Sequence, residues 1–313
     1  VNTFPEISIV APVFNESGNL AEFQKRLSAV LDKISVDYEV IYINDGSTDN
    51  SIEIIKSFSK EDKRVKFVSF SRNFGHQVAA SAGLEHAFGQ VVVIIDTDLQ
   101  DPPELIHEMY EKYKEGFKVV YARRRQRQGE GKFKRWTATI FYRILRSITQ
   151  TDIPLDTGDF RLMDVQVVKV LKEMPERSKF LRGQVAWAGF SQTFITFDRP
   201  PRKNGETGYP LRRMLKFATD GITGFSDFPL RVAMLLGFLF SIVAFGIIIY
   251  ALFARLQGGT ITGWTSLIIS SMFIGGIQLL CIGIIGEYIS RIYSEVKQRP
   301  LYIVEESNID RQH

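Results

Sequence analysis

Val91-Val92-Val93-Ile94-Ile95-Asp96-Thr97-Asp98-Leu99-Gln100-Asp101-Pro102-Pro103 is the stretch from which the fold is read. Five consecutive β-branched residues predict a strand buried on both faces, as in the middle of a parallel sheet. The run then stops in three carboxylates and a carboxamide within six residues, closed by Pro-Pro. In open α/β sheets ligands bind beyond the carboxyl ends of the strands. Asp96, Thr97 and Asp98 belong at such an end, and the strand period of two puts Asp96 and Asp98 on one side. Oxygen-only donors at this density suit a hard cation, Mg²⁺ or Mn²⁺, carrying a phosphate-bearing substrate. An Asp-rich turn that only caps the following helix fits the same residues. A D-x-D by itself does not separate the two readings.

Upstream of this strand the sequence repeats one unit. Ile7 to Phe14 predicts a first strand, followed by the loop Asn15-Glu16-Ser17-Gly18-Asn19 and a helix through Leu20, Phe23, Leu27, Val30 and Leu31. Tyr38 to Asn44 is a second strand ending in Asp45-Gly46-Ser47-Thr48-Asp49, with Ser17 or Asn19, and Ser47, Thr48 or Asp49, as candidate helix caps. Val65 to Phe70 is a third, followed by Ser71-Arg72-Asn73-Phe74-Gly75-His76 and an Ala-rich helix over 77–88. The order β-α-β-α-β-α-β with short connections predicts a mainly parallel, right-handed α/β sheet. Three strand ends then carry polar groups able to converge: Asn15 and Glu16, Asp45, and Asp96 with Asp98. Neither G-x-G-x-x-G after the first strand nor G-x-x-x-x-G-K-[ST] occurs, so a metal is the natural holder of phosphates here.

Downstream, Val119 to Arg125 reads as a strand ending in basic residues, with Arg123 able to meet the same phosphates. The segment 133–148 interleaves basic and aromatic residues, which fits a helix lying on a membrane surface or an ordinary surface helix. Asp159, in Asp156-Thr157-Gly158-Asp159, is a candidate general base, an acceptor anchor or a turn residue. After a strand-like run over 192–197, a Pro- and Gly-punctuated loop presents Arg199, Arg202 and Lys203 to an anion.

The composition bounds what these residues can do. In 313 residues the formal net charge is +4, the hydrophobic content is 45%, and Cys281 is the sole cysteine. An internal disulfide and a cysteine-based zinc site are excluded. The basic residues are clustered, which admits nucleic acid, an anionic membrane surface or a phosphorylated substrate. No charge occurs from Val232 to Ala254 or from Ile261 to Gly286. Each run exceeds the ~20 residues needed to cross the hydrocarbon core, which predicts a transmembrane helical hairpin. Arg212, Arg213, Lys216 and Arg231 precede it and Arg291, Lys297 and Arg299 follow it, while the connection carries only Arg255. The positive-inside rule then puts the α/β domain and both ends in the cytoplasm, with the hairpin in the inner or plasma membrane.

Taken together, Val10-Ala-Pro-Val-Phe-Asn-Glu16, Ile43-Asn-Asp-Gly-Ser-Thr-Asp49, Ser71-Arg-Asn-Phe-Gly-His-Gln77 and Ile95-Asp-Thr-Asp-Leu-Gln-Asp-Pro-Pro103 resemble the family 2 glycosyltransferases of GT-A fold. With Asp156-Thr-Gly-Asp-Phe-Arg161, Gly205-Glu-Thr207, Phe225 to Leu230 and a C-terminal hairpin, the chain is similar to the polyprenyl-phosphate hexosyltransferases. That group includes the bactoprenol glucosyltransferases and the dolichyl-phosphate mannose synthases. The resemblance implies a GT-A catalytic domain over 1–210 with a juxtamembrane helix near 133–148. It further implies a second such helix over 211–228, a hairpin over 229–290 and a cytoplasmic tail over 291–313. It places Pro12, Asn15, Glu16, Asp45 and Thr97 at the nucleotide, Asp96 beside ribose and donor sugar, and Asp98 and Gln100 on Mg²⁺ or Mn²⁺. Arg123, Arg199, Arg202 and Lys203 fall to diphosphate or lipid phosphate, and Asp159 to the acceptor as base or orienting group. The implied partners are a UDP-sugar, polyprenyl phosphate, the bilayer and further copies of the chain, a tetramer in this family, with no nucleic acid. A glucose donor is implied first, with mannose or a modified aminosugar as alternatives. An aspartyl-nucleophile phosphatase and a non-catalytic nucleotide-binding membrane scaffold are the rivals from other classes. UDP binding with and without Mn²⁺ separates the scaffold from the enzyme.

Overall fold

The structure, a computed structural model, describes residues 4–125, 157–177, 179–198, 228–257 and 263–309. The expected helix over 133–148, all but the last residue of the one over 211–228, and Asp156, Arg199, Arg202 and Lys203 lie outside the described residues. The chain divides into an α/β unit and a helical unit.

The α/β unit is built on strands β1 (Ile7–Val13), β2 (Tyr38–Asn44), β3 (Val65–Phe70), β4 (Val91–Ile94), β5 (Val119–Arg124), β6 (Thr157–Asp164), β7 (Gln192–Phe197) and β8 (Val304–Ser307). They form one sheet in the order β7-β5-β6-β4-β1-β2-β3-β8. β1, β2, β3 and β4 are mutually parallel where they pair, as are β5 and β7. β6 runs antiparallel between β4 and β5, and β8 runs antiparallel along β3. The sheet is therefore mixed, with its parallel half in the expected place.

Strand alternation divides the buried residues into two cores. Ile7, Ile9, Tyr42, Val93 and Ile95 face α1 (Leu20–Ile34), α2 (Ser51–Glu61) and α4 (Leu105–Lys114). Val10, Ile41, Ile43, Val92 and Ile94 face α3 (His76–His86), α5 (Val165–Glu173) and α6 (Leu181–Trp187). Helix α3 comes unusually close to the sheet. A Cβ on Gly83 would lie 2.1 Å from Val10 Cγ1, so only glycine fits there. The neighbouring Ala79, Ala80 and Ala82 are buried for the same reason. This close approach is what carries the N-terminus of α3 to the strand ends.

The residues expected to cap α1 and α2 work differently. Asn19 and Asn50 occupy the cap positions without a side-chain capping bond. Asn19 donates to Glu16 instead, and Asp49 accepts from the backbone N–H groups of Ser17 and Ser51.

The segment read as a tail over 291–313 is a correction. It is helical to Val296 and then returns to the α/β unit as β8. Phe67 N donates to Asn308 Oδ1 at 2.6 Å, and Tyr302 stacks on Phe70 with centroids 4.7 Å apart. The run Val304-Glu-Glu-Ser307 is short and polar because it is an edge strand with one side in solvent.

The helical unit contains α7 (Phe228–Leu256) and α8 (Trp264–Val296). At 29 and 33 residues both exceed what a hydrocarbon core demands. Met234, Phe238, Phe245, Leu267, Leu279 and Ile282 all stand more than half exposed. The apolar stretches within them, Pro229–Ile247 and Phe273–Val296, are hardly buried at all, unlike the core helix of a water-soluble protein. Both helices run beyond the expected hairpin boundaries of 229 and 290.

Candidate active site

Short polar side chains join the loops at the carboxyl ends of β1, β2 and β3. Asn15 lies at φ +56°, and its Oδ1 accepts from Thr48 N at 2.8 Å while its own N–H donates to Ser47 Oγ. Glu16 N donates to Ser51 Oγ, and Ser47 N to Asn44 Oδ1. Asp45 accepts from Phe74 N at 2.6 Å and Gly75 N at 3.0 Å, so it ties the loop after β3 to the end of β2. Burial pushes the Asp45 carboxyl up, against the pull of those two N–H groups. At Gly46, φ is +64° and a Cβ would sit 2.3 Å from the Arg72 carbonyl carbon, so the two loops touch backbone to backbone. The Asn44–Asp49 motif is in large part architecture.

These loops enclose a cleft of ≈ 260 Å³ at the expected sheet end. Pro12, Glu16 and Asp45 line one part, and Asp96, Thr97 and Asp98 another. Val13, Phe14, Asn73, Gly75, His76 and Ala79 complete the wall. Asn15 and Gln100 are not among the lining residues: Asn15 is spent on Thr48, and Gln100 is 6% exposed. Thr97 donates to Pro12 O across β1 and β4. Leu99, at φ +61°, holds a left-handed conformation that costs a bulky residue about 1–3 kcal/mol. Its burial in the core and the bond from Gln100 N to Asp98 Oδ1 hold the turn in that shape.

The antiparallel pairing of β4 and β6 explains how a distant aspartate reaches this cleft. Their register runs from Val91 opposite Asp164 to Ile94 opposite Arg161. Continued two residues, it sets Asp159 across from Asp96. His76, at the start of α3, lies between them, with Nε2 3.4 Å from Asp96 Oδ1 and 3.3 Å from Asp159 Oδ2. Burial alone lowers the His76 pKa; Asp96 and then Asp159 outweigh it and raise it to about 9. Asp159 also accepts from Gln77 Nε2, Arg182 Nε and Arg161 Nη2. Arg161 is fully buried, with its guanidinium 5.5 Å from the Tyr121 ring. Burial raises the Asp159 pKa, but the His76 hydrogen bond and the charges of Arg182 and Arg161 hold it well below the usual carboxylate range. A carboxylate so surrounded is a weak base and a strong organiser of cations.

The sequence pointed to Asp45, Asp96, Asp98 and Asp159, and the fold brings all four to one sheet end. Arg123 stands apart from the cleft wall, its guanidinium 4.9 Å from the Phe194 ring. His76, Gln77, Arg161 and Arg182 carried no assigned role, although the first three stood inside quoted motifs. Spacing gave no signal for their meeting, which depends on β6 running antiparallel.

The donors at the cleft fit a hard divalent cation. They are carboxylate oxygens, with Asp98 at the wall and Asp96 beside it. Mg²⁺-type sites commonly use one or two protein carboxylates and take their other ligands from substrate phosphates and water. Among the described residues, no group of three or more His, Cys, Asp or Glu side chains is placed to hold a metal ion.

The mixed sheet, the polar cleft at its carboxyl ends and the D-x-D at the central strand agree with the GT-A glycosyltransferase architecture expected from the sequence. The chain belongs to glycosyl transferase family 2, whose model matches residues 8–171. A second model, the GtrB C-terminal hairpin, matches residues 228–292. The uncharacterized glycosyltransferase YkcC of Bacillus subtilis is 52% identical over 96% of this chain and 94% of its own length. The prophage bactoprenol glucosyl transferase homolog of Escherichia coli is 40% identical, covering 96% of this chain and 98% of its own. The bactoprenol glucosyl transferase of Shigella phage SfII is also 40% identical, over 97% and 98%. Among solved structures, glucosyl-3-phosphoglycerate synthase from Mycobacterium tuberculosis aligns with TM-score 0.48 and 18% identity over 70% of this chain and 76% of that one.

Proposed function

We propose that the protein transfers glucose, with inversion, from UDP-glucose to polyprenyl phosphate, giving polyprenyl-phosphate β-glucose and UDP. The observation that carries this reading is the similarity, over nearly the whole chain and its hairpin, to relatives named bactoprenol glucosyl transferase. A bond forms between the anomeric carbon and an acceptor phosphate oxygen, and the bond from that carbon to the UDP diphosphate breaks with its electron pair. The acceptor must stand in line with the leaving group on the opposite face.

A phosphate monoester has its second pKa near ~6 and is already an anion at neutral pH. No strong base is then required, which agrees with the depressed pKa of Asp159. Asp159 orients the acceptor side through Arg182. Pro12, Glu16, Asp45 and Thr97 line the nucleotide part of the cleft, and Asp96 faces the donor sugar. Asn15 serves the nucleotide indirectly, by clamping the two loops. Asp98, with Gln100 behind it, would hold Mg²⁺ or Mn²⁺, which when bound supplies Lewis-acid stabilisation of the departing diphosphate. Arg123, Arg199, Arg202 and Lys203 supply positive charge for the diphosphate or the lipid phosphate. The hairpin anchors the enzyme in the membrane that contains the lipid acceptor, with the catalytic unit cytoplasmic and several copies assembled together.

The test is transfer of labelled sugar from UDP-glucose to undecaprenyl phosphate in detergent. Labelled lipid that disappears with EDTA and in Asp98→Ala is the expected result. Labelling from another nucleotide sugar alone would replace the donor, and no lipid product from any donor would overturn the reading.

A further inference from the structure

His76 has no role in the reaction as described so far, yet it occupies the junction of the site. Asp96 and Asp159 arrive from different strands and both approach the same ring nitrogen. The imidazole ring fills the space between the two carboxylates, 3.4 Å from one and 3.3 Å from the other, and so fixes their separation. Arg161 lies beneath and Arg182 to one side, and both engage Asp159 Oδ1, on the oxygen away from the histidine. His76 is thus the group that joins the carboxylate of the D-x-D to the β6 hub. Several constraints deliver it there: the Asp45 grip on Phe74 and Gly75, the φ of +106° at Gly75, and the tight seating of α3 at Gly83. Its side chain is 41% exposed and lines the cleft, so it stands within the solvent-open part of the site.

We propose that His76 is a positioning residue for glycosyl transfer, holding Asp96 on the donor side and Asp159 on the acceptor side in one arrangement. This rests on the transfer reaction proposed above. Loss of the bridge lets the two carboxylates move apart, and Arg182 moves with Asp159. The displacement acts on the alignment of the acceptor with the anomeric carbon. It leaves the nucleotide end of the cleft, at Pro12 and Glu16, in place.

The experiment uses the full-length enzyme in detergent and compares wild type with His76→Ala and His76→Gln. Calorimetry gives UDP affinity, and the transfer assay gives kcat and KM for donor and acceptor. For His76→Ala the expected loss in kcat is about a hundredfold, the scale of a misalignment near 1 Å. UDP affinity stays at the wild-type value, and added imidazole restores part of the turnover by entering the vacated, open position. His76→Gln, which keeps a hydrogen-bonding group between the two carboxylates, retains more turnover than His76→Ala.

A purely structural role would lower UDP affinity and the unfolding midpoint together with kcat, and imidazole would not help. That pattern, or an unchanged kcat in His76→Ala, overturns the inference, as does His76→Gln losing as much turnover as His76→Ala. A wild-type enzyme that transfers nothing to polyprenyl phosphate overturns the reaction instead.

Discussion

Asp159 shows how far a side chain's surroundings decide its chemistry. From sequence it is an acid in a Gly- and Asp-containing run, open to use as a base, an anchor or a turn. In the fold it accepts from one histidine, one glutamine and two arginines, one of them with no exposed surface. Truncation to Ala would leave Arg161 buried beside an empty place, and breaking such a pair costs about 3–5 kcal/mol. Asp159→Asn keeps the hydrogen-bond acceptor and should unfold at a midpoint between Asp159→Ala and wild type, with turnover lowered. Thermal unfolding beside the transfer assay checks both. The sign of the pH dependence follows from the lowered native pKa. The Asp159 contribution is complete above the ordinary carboxylate pKa of about 3.9 and fades as pH falls through the native value. The gap in unfolding midpoint between wild type and Asp159→Asn should therefore narrow on acidification below pH 4; a gap that widens there contradicts the assignment.

Among the elements, β1 to β4 were legible because buried parallel strands are written as continuous β-branched and aliphatic runs. Asp96 and Asp98 were legible as a site because a charged cluster at the end of such a run has no packing explanation. β6 and β8 were not legible in the same way. Thr157–Asp164 sits within a run that reads as a turn, and it becomes a strand only because β4 and β5 offer it two edges. The convergence of His76, Arg161 and Arg182 on Asp159 is a product of that insertion, so no local spacing encodes it. Helix α3 is the element on which the site most depends. Gly83→Ala would force a Cβ into Val10 Cγ1 and lift the helix from β1. Overpacking of this kind costs about 1–3 kcal/mol. Because His76 and Gln77 open the same helix, turnover should fall along with stability, more than in Ala80→Ser on the same element. Parallel unfolding and transfer measurements test this, and a destabilised variant with full turnover would uncouple the helix from the site.

On the scale of the whole molecule, strands from before and after α7 and α8 belong to one sheet. A chain that leaves a sheet on one side of a bilayer and rejoins it must cross that bilayer an even number of times. In a Cys281→Ser background, cysteines introduced at Lys63 and Lys297 should both react with an impermeant maleimide only from the cytoplasmic face. A cysteine at Gly259, between the two helices, should react only from the other face. Labelling of all three from one side would mean that the helices lie on the membrane without crossing it.

The eighth strand also has a consequence for biosynthesis. Its partner β3 leaves the ribosome more than two hundred residues earlier, and both apolar helices are made in between. At about 5–20 residues per second, the edge of β3 waits on the order of tens of seconds for its neighbour. An unpaired edge of that kind is a template for pairing with other chains. Completion of the catalytic unit is thus timed by synthesis of the helices that precede β8, and a chain whose translation stalls in the hairpin never closes its sheet.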